Sequence, residues 1–339
     1  MVMMVVNSMD LIKKVIGSYG IASQQIIQVT ESVYKVVTNQ QNYALKKSEL
    51  TSKTRPAWEN VYHEAQAKQL TGISPLYLTK TGSLYQEEND AIYYLSPWLT
   101  GEQATIEQSY RTIGQLHART KQEETMPTEQ IMERFSRYQK DCQHLQKGQL
   151  TYLKKFEMER YMSPFELQYA THFRDVELVF KELMESIDRF NDELTDMRTW
   201  NQSLCHGNLQ LSHFFHQGHT SIINWEKAHY ANPIVDLVLF FKNEAIHYDT
   251  TNDVLLDLFT TYLEENDLKP IERYLLLIYL LDPTEYVSIV QHYVESRSNT
   301  PMIYQVKDLQ IAYRKLLFGL DFFEHVNKLA MKGEQIIND

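Results

Sequence analysis

Apolar positions along the chain fall into two regimes. Over the first hundred residues, short runs of β-branched and aromatic side chains alternate with polar turns, so 26–29, 33–38 and 43–47 read as strands. The polar NQQN at 39–42 separates the last two as a hairpin turn would. Ahead of them, Leu11, Ile12, Val15 and Ile16 recur at helical spacing behind Asp10, a suitable N-cap, which predicts a helix over 10–18. A second helix is predicted over 57–70 and is ended by Thr71-Gly72. Gly82-Ser83 and residues 87–90 read as turns bracketing two further strands, the second being AIYYL at 91–95. Ser96-Pro97 then breaks the pattern.

From there the period becomes helical. Ile106, Tyr110, Ile113 and Leu116 share one face, and amphipathic stretches occupy 130–146, 164–190 and most of the chain from 233 onward. A β-rich island interrupts them at 203–223, with breaks at His206-Gly207 and at Gln217-Gly218-His219. No internal repeat or low-complexity segment stands out. This order predicts an α+β protein with a protein-kinase-like, two-lobed fold. The N-lobe, residues 1–97, is a five-stranded sheet with one inserted helix, and the C-lobe, residues 98–339, is helical and carries a small hairpin.

Composition narrows the function classes. At 339 residues, 43% hydrophobic and 23% charged, the chain is long enough for a large core and has an ordinary globular make-up. The 33 basic residues against 44 acidic ones give a net charge of -11, which argues against a nucleic-acid partner. Cys142 and Cys205 show no metal-ligand spacing and imply a reducing compartment. The opening MVMMVV lacks a preceding basic region, and the longest later apolar run, 274–281, is too short to cross a bilayer. The expectation is an intracellular protein with no membrane span. Met3, Met4 and Met9 are alternative starts to Met1, and a start at Met9 would remove the apolar prefix.

Two segments carry the candidate chemistry: LCHGNLQLSHFF at 204–215 and SIINWEKAHYANPIVDL at 221–237. With these residues the chain resembles the aminoglycoside phosphotransferase and choline kinase superfamily, and within it the spore-coat kinase-like proteins of the CotS type from endospore-forming bacteria. That superfamily carries H-G-D-x-x-x-x-N, then D-[FW]-[DE] behind a hydrophobic pair, then P-x-x-D-L. Here the three read HGNLQLSH, IINWE and PIVDL, with His206, Gly207, Trp225, Glu226, Pro233, Asp236 and Leu237 kept.

The departures fall on the chemistry. The resemblance puts the catalytic base at Asn208, whose amide has no basic site near neutral pH. It puts the metal-binding positions at Asn224, Glu226 and His213, of which only Glu226 is a carboxylate, the ligand type magnesium favours. Upstream, Lys46 in YALKK falls where the fold's phosphate-pairing lysine belongs, and Glu64 where its ion-pair partner belongs. A one-residue slip of the strand would substitute Lys47. Residues 29–35 take the place of a phosphate-covering loop and contain no glycine. The connector YYLSPWLTGE, with Tyr94, Ser96 and Trp98, matches the interlobe hinge where an adenine would meet backbone groups. The cofactors implied are ATP and magnesium, with a small-molecule acceptor if the protein is active.

Each of these residues also has a structural reading. By resemblance, His206 braces the loop and Asp236 accepts backbone N–H groups in it, roles an inactive protein still needs. His117 reads as packing. His206, His213, His216 and His219 form a local cluster, but positions three apart on a strand face opposite ways, which works against a shared metal ion. Cys205 closes an apolar strand and reads as a buried small hydrophobe, and core-edge packing explains most of the 22 tyrosines. Two functional readings result. In the first, the protein is a pseudokinase that acts as a structural or interaction component of the spore coat, passes from mother-cell cytoplasm to the coat, and has other coat proteins as partners. In the second, it is a working ATP-dependent small-molecule phosphotransferase with an unconventional metal site on Glu226.

Overall fold

The computed structural model describes residues 8–247, 252–295 and 300–337; the apolar prefix lies outside them. In chain order the elements begin with α1 (Ser8–Ser18), β1 (Gln25–Gln28), β2 (Val33–Val37), β3 (Asn42–Ser48), α2 (Arg55–Ala67), β4 (Tyr85–Glu88), β5 (Ala91–Pro97), β6 (Glu102–Gln103) and α3 (Ile106–Thr120). There follow β7 (Gln122–Thr125), α4 (Thr128–Glu157), α5 (Pro164–Asp196), β8 (Thr199–Cys205), β9 (Phe214–Gln217), β10 (His219–Ile222) and β11 (His229–Ala231). The chain then turns helical: α6 (Ile234–Glu244), α7 (Asn252–Asp257), α8 (Phe259–Glu265), α9 (Pro270–Leu280), α10 (Thr284–Val294) and α11 (Met302–Ile337). A β-sheet N-terminal region is thus followed by a helical C-terminal region.

Contacts group the chain into two compact units, one of Met1–Thr120 with Leu204–Tyr230, the other of Lys121–Ser203 with Ala231–Asp339. The first unit is built on a five-stranded antiparallel sheet of order β1-β2-β3-β5-β4. Its strands alternate as the sequence does: Tyr34 and Val36 of β2 and Tyr43 and Leu45 of β3 are buried. They share a core with Ile12, Val15 and Ile16, the apolar stripe of α1. On α2, Trp58 is fully buried and packs edge-on to Tyr62 and Tyr85. A second small sheet, β10-β9-β6, joins the connector to the hairpin: Glu102 stands opposite His216 and Gln103 opposite Phe215. Gly101 is required there, because a Cβ would lie 2.3 Å from His216 O.

In the second unit α4 and α5 are longer than their amphipathic stretches suggest, at 30 and 33 residues. Helix α5 starts at a capping box, in which Ser163 Oγ accepts from Glu166 N–H and Glu166 Oε2 accepts from Ser163 N–H. Strand β7 pairs with the first part of β8, Thr125 opposite Thr199 and Gln122 opposite Gln202. Among the described residues, no helix is long and apolar enough to cross a membrane.

Candidate active site

Strand β3 sets one wall of the site. Its alternation sends Tyr43 and Leu45 into the core and leaves Ala44 and Lys46 on the opposite face, while Lys47 is exposed on the core side's register. The pairing with β5 puts Lys46 opposite Tyr94 and Ala44 opposite Ser96, so all four share a face. That face lines a cavity of about 230 Å³ to which Val33, Tyr62, Trp98, Phe215, Ile223 and Asn224 also contribute. The alternatives at 46 and 47 are thereby resolved: Lys46 faces the cavity. Trp98 N–H donates to Asn42 O at 3.0 Å, and Lys35 Nζ lies 4.9 Å from the Trp98 ring centre, at cation–π distance.

The loop after β8 is held from within. His206 is fully buried; its Nδ1 accepts the Asn208 backbone N–H at 3.2 Å, so the proton resides on Nε2, which donates to Ile223 O at 2.8 Å. One imidazole therefore ties the 206–208 turn to the strand end at 223. Its ring meets buried Trp225 edge-on at 4.9 Å, and Trp225 Nε1–H donates to Ile222 O. Gly207 has φ +75°, and a Cβ there would lie 2.3 Å from Lys227 O, so the turn admits only glycine.

Asn224 adopts the left-handed conformation, φ 68° and ψ 45°, at the start of a 3-10 turn over Trp225–Lys227. Asparagine and aspartate tolerate that conformation better than other side chains. The turn directs two acceptors at one ammonium: Lys46 Nζ donates to Asn224 Oδ1 at 2.9 Å and to Glu226 Oε2 at 2.8 Å. Both ends of the ion pair are about four-fifths buried, with side-chain exposures of 19% and 21%. Glu226 Oε1 is buried without a hydrogen-bond partner. Burial, and next the Glu226 charge, push the Tyr94 and Tyr62 hydroxyls well above the ordinary tyrosine range, so both stay neutral.

His213 is buried in a 3-10 turn over Leu211–His213, and its Nε2 accepts from the Gln210 amide at 2.8 Å. Burial, the neighbouring His206 and the Lys46 charge lower its pKa to about 4. His216 instead bonds Thr220 Oγ1 and His219 is exposed, whereas the His206 and His213 rings lie 5.2 Å apart, so the cluster reduces to one buried pair. Cys205 is buried and forms no disulfide, and His117 is fully buried.

One expected pairing is replaced. Glu64 accepts from Tyr230 Oη and from Lys68 Nζ, its neighbour one turn along α2, whereas Lys46 is taken by Glu226 and Asn224. Asp236 is fully buried in the first turn of α6 and belongs to the other unit. The Tyr230–Glu64 contact links residues 166 apart and leaves no local sequence signal. Tyr62, which lines the cavity, was equally hidden in the apolar face of α2.

For magnesium the donor set is a poor match: one carboxylate already paired with an ammonium, one amide whose oxygen is engaged by the same ammonium, and a neutral imidazole. Asn208 offers no base, and its backbone N–H is committed to His206. At this wall of the cavity the Lys46 and Glu226 charges thus offset one another.

Fold and motifs together define a phosphotransferase class, and the sequence profile of the Phosphotransferase enzyme family matches residues 25–270. The chain belongs to that family. No curated protein matches it. Among solved structures it is similar to an aminoglycoside phosphotransferase from Alicyclobacillus acidocaldarius, with TM-score 0.68, 15% identity, and coverage of 94% of this chain and 96% of that one. It is also similar to a spectinomycin phosphotransferase bound to AMP (TM-score 0.54, 13% identity, coverage 92% and 98%). A third is an amicoumacin kinase in complex with AMP-PNP and Ca2+ (TM-score 0.53, 14% identity, coverage 92% and 93%). At these identities the likeness establishes the kinase-like α+β fold.

Proposed function

We propose that this family member is a pseudokinase whose value lies in its folded surface, and that it serves as a structural or interaction component of the bacterial spore coat. The observation that carries the first half is the Lys46 contact with Glu226 and Asn224. In a transferring enzyme that lysine pairs with phosphate and acidic residues at the metal centre hold the ion; here lysine and carboxylate neutralise one another and the remaining head groups are two amides and an imidazole. Loss of a general base alone costs typically 10²- to 10⁴-fold in rate. The spore-coat half is supported by the sequence resemblance, which also supplies coat proteins as partners and the mother-cell route to the coat.

Two experiments test the two halves separately. Purified protein with labelled ATP and magnesium or manganese should transfer no phosphate to water or to amino-sugar and amino-alcohol acceptors; turnover abolished by Glu226→Gln would overturn the pseudokinase reading. A fluorescent fusion followed through sporulation should collect at the forespore, and diffuse signal throughout would remove the coat assignment.

A second reading, a working small-molecule phosphotransferase, is favoured by one observation: Lys46 and the 94–98 connector do line a cavity. A nucleotide at about 100 times its dissociation constant would stabilise the protein by roughly 2.7 kcal/mol. Stabilisation together with turnover supports that reading, whereas stabilisation without turnover describes a nucleotide-binding pseudokinase.

A further inference from the structure

The second unit contains a cavity of about 270 Å³ that shares no lining residue with the one around Lys46. Phe135 and Tyr138 of α4, Trp200 of β8 and Tyr279 of α9 supply aromatic walls, aliphatic side chains of α4 and α9 supply the rest, and Arg134 and Asp282 add charge. An engineered apolar cavity of about 150 Å³ takes a benzene molecule, so this one has space for a ring with a short side chain.

The polar groups decide what kind of molecule fits. Trp200 Nε1–H is buried with no hydrogen-bond partner, and an indole N–H can only donate. Buried polar groups are ordinarily paired, so this donor marks a place where an acceptor is missing. Arg134 is exposed, permanently charged and also donor-only. One oxygen of the Asp282 carboxylate is already engaged: Oδ1 accepts from Tyr138 Oη at 2.8 Å, from Thr284 Oγ1 at 2.6 Å and from Thr284 N–H at 3.1 Å. Four aromatic rings could box in an organic cation, but the donor left without a partner is Trp200 Nε1–H, which the N–H groups of a cation cannot satisfy. What the cavity offers a ligand is an apolar body site with an unpaired donor, and a positive charge at Arg134 set against the negative one at Asp282.

We propose that this cavity binds a small aromatic monocarboxylate, the ring lying among Phe135, Trp200 and Tyr279 and an acceptor oxygen meeting Trp200 Nε1–H beside the Arg134 guanidinium. The site is independent of whether the Lys46 cavity transfers phosphate.

The test uses the intact chain labelled with ¹⁵N. It has four tryptophans, so its indole N–H resonances can be resolved, and the loss of one in Trp200→Phe assigns that of Trp200. Titration with phenylacetate should move the Trp200 resonance saturably, and Arg134→Gln should weaken binding about fivefold to tenfold by removing the charge partner. Its cationic counterpart, phenethylamine, should bind at least about tenfold more weakly than phenylacetate to the unaltered protein. Equal or tighter binding of phenethylamine would overturn the assignment of ligand charge. No saturable shift of the Trp200 indole with phenylacetate, or a shift whose midpoint ignores Arg134→Gln, would overturn the site.

Discussion

Lys46 Nζ lies 2.8 Å from Glu226 Oε2, a contact that ties β3 to a turn 180 residues further along the chain. Because both partners are mostly removed from water, cutting one leaves an uncompensated charge in a partly desolvated place. Lys46→Met should destabilise the protein by about 1–3 kcal/mol, and Glu226→Gln by a similar amount. Urea unfolding of both single variants and the double variant closes the cycle. The two effects should be coupled by at least about 1 kcal/mol, whereas simple additivity would mean that water screens the pair.

Two buried histidines give the fold a defined acid sensitivity. Burial lowers His172 and His213 to about 4, from 6.5 in an open chain. The unfolded chain therefore takes up these protons first as pH falls, so their contribution is complete above about pH 6.5 and is lost progressively down to pH 4. Each should account for about 2 kcal/mol of the stability difference between pH 7 and pH 5. Urea midpoints at the two pH values, compared with those of His213→Gln, read out that residue's share directly. An unchanged pH dependence in the variant would show that His213 is protonated as easily folded as unfolded.

Returning carboxylates to the site should return metal binding. In the protein with both Asn208→Asp and Asn224→Asp, magnesium or manganese with ATP should raise the unfolding temperature, an effect absent or much smaller in the unaltered chain. Without metal the same variant should be less stable, by about 1 kcal/mol, because the new charges add to that of Glu226. Differential scanning with and without the ion separates the two effects, and equal metal response in both proteins would place these side chains away from any ion.

Two glycines offer a backbone test. Gly207 and Gly218 have nearly the same φ, +75° and +77°, yet a Cβ at 218 meets nothing within 4 Å while one at 207 meets Lys227 O at 2.3 Å. Gly218→Ala should cost about 1–2 kcal/mol, the price of the left-handed conformation for an L side chain. Gly207→Ala should cost about 1–3 kcal/mol more, since backbone must move. Denaturant midpoints for the pair isolate the steric component.

The sheet was legible because its strands advertise themselves. Tyr34 and Val36 alternate with half-exposed neighbours on β2, and Tyr43 and Leu45 do the same on β3; the expected 33–38 runs one residue past the end of β2, and the expected 43–47 falls one residue short of β3 at each end. Helix α4 was harder. Its apolar stripe fades after 146, and Gly148 lowers helix propensity, but the helix continues to Glu157 on contacts with α5 and buried Gln149 and Phe156. The motif positions of the candidate site were found through the family resemblance, which the fixed spacing of HGNLQLSH, IINWE and PIVDL carries. Their pairing was not: which carboxylate reaches Lys46 depends on a left-handed turn at Asn224, and the hydroxyl that occupies Glu64 comes from Tyr230, far along the chain. Such contacts are set by tertiary packing, to which a local pattern is blind. The same holds for the His213 environment, where a 3-10 turn stands in place of the strand that periodicity suggested.

The left-handed turn at Asn224 has an implication for how this protein can change. Amide and carboxylate are nearly the same size, and both tolerate φ 68°, so exchanging one for the other asks nothing of the main chain. The braces that shape the surrounding loop, His206 on Ile223 and Trp225 on Ile222, are indifferent to the head group at 224. The head group at 224 can thus be exchanged by a single-codon step without refolding, and a lineage could make that exchange in either direction while its outer surface stayed the same.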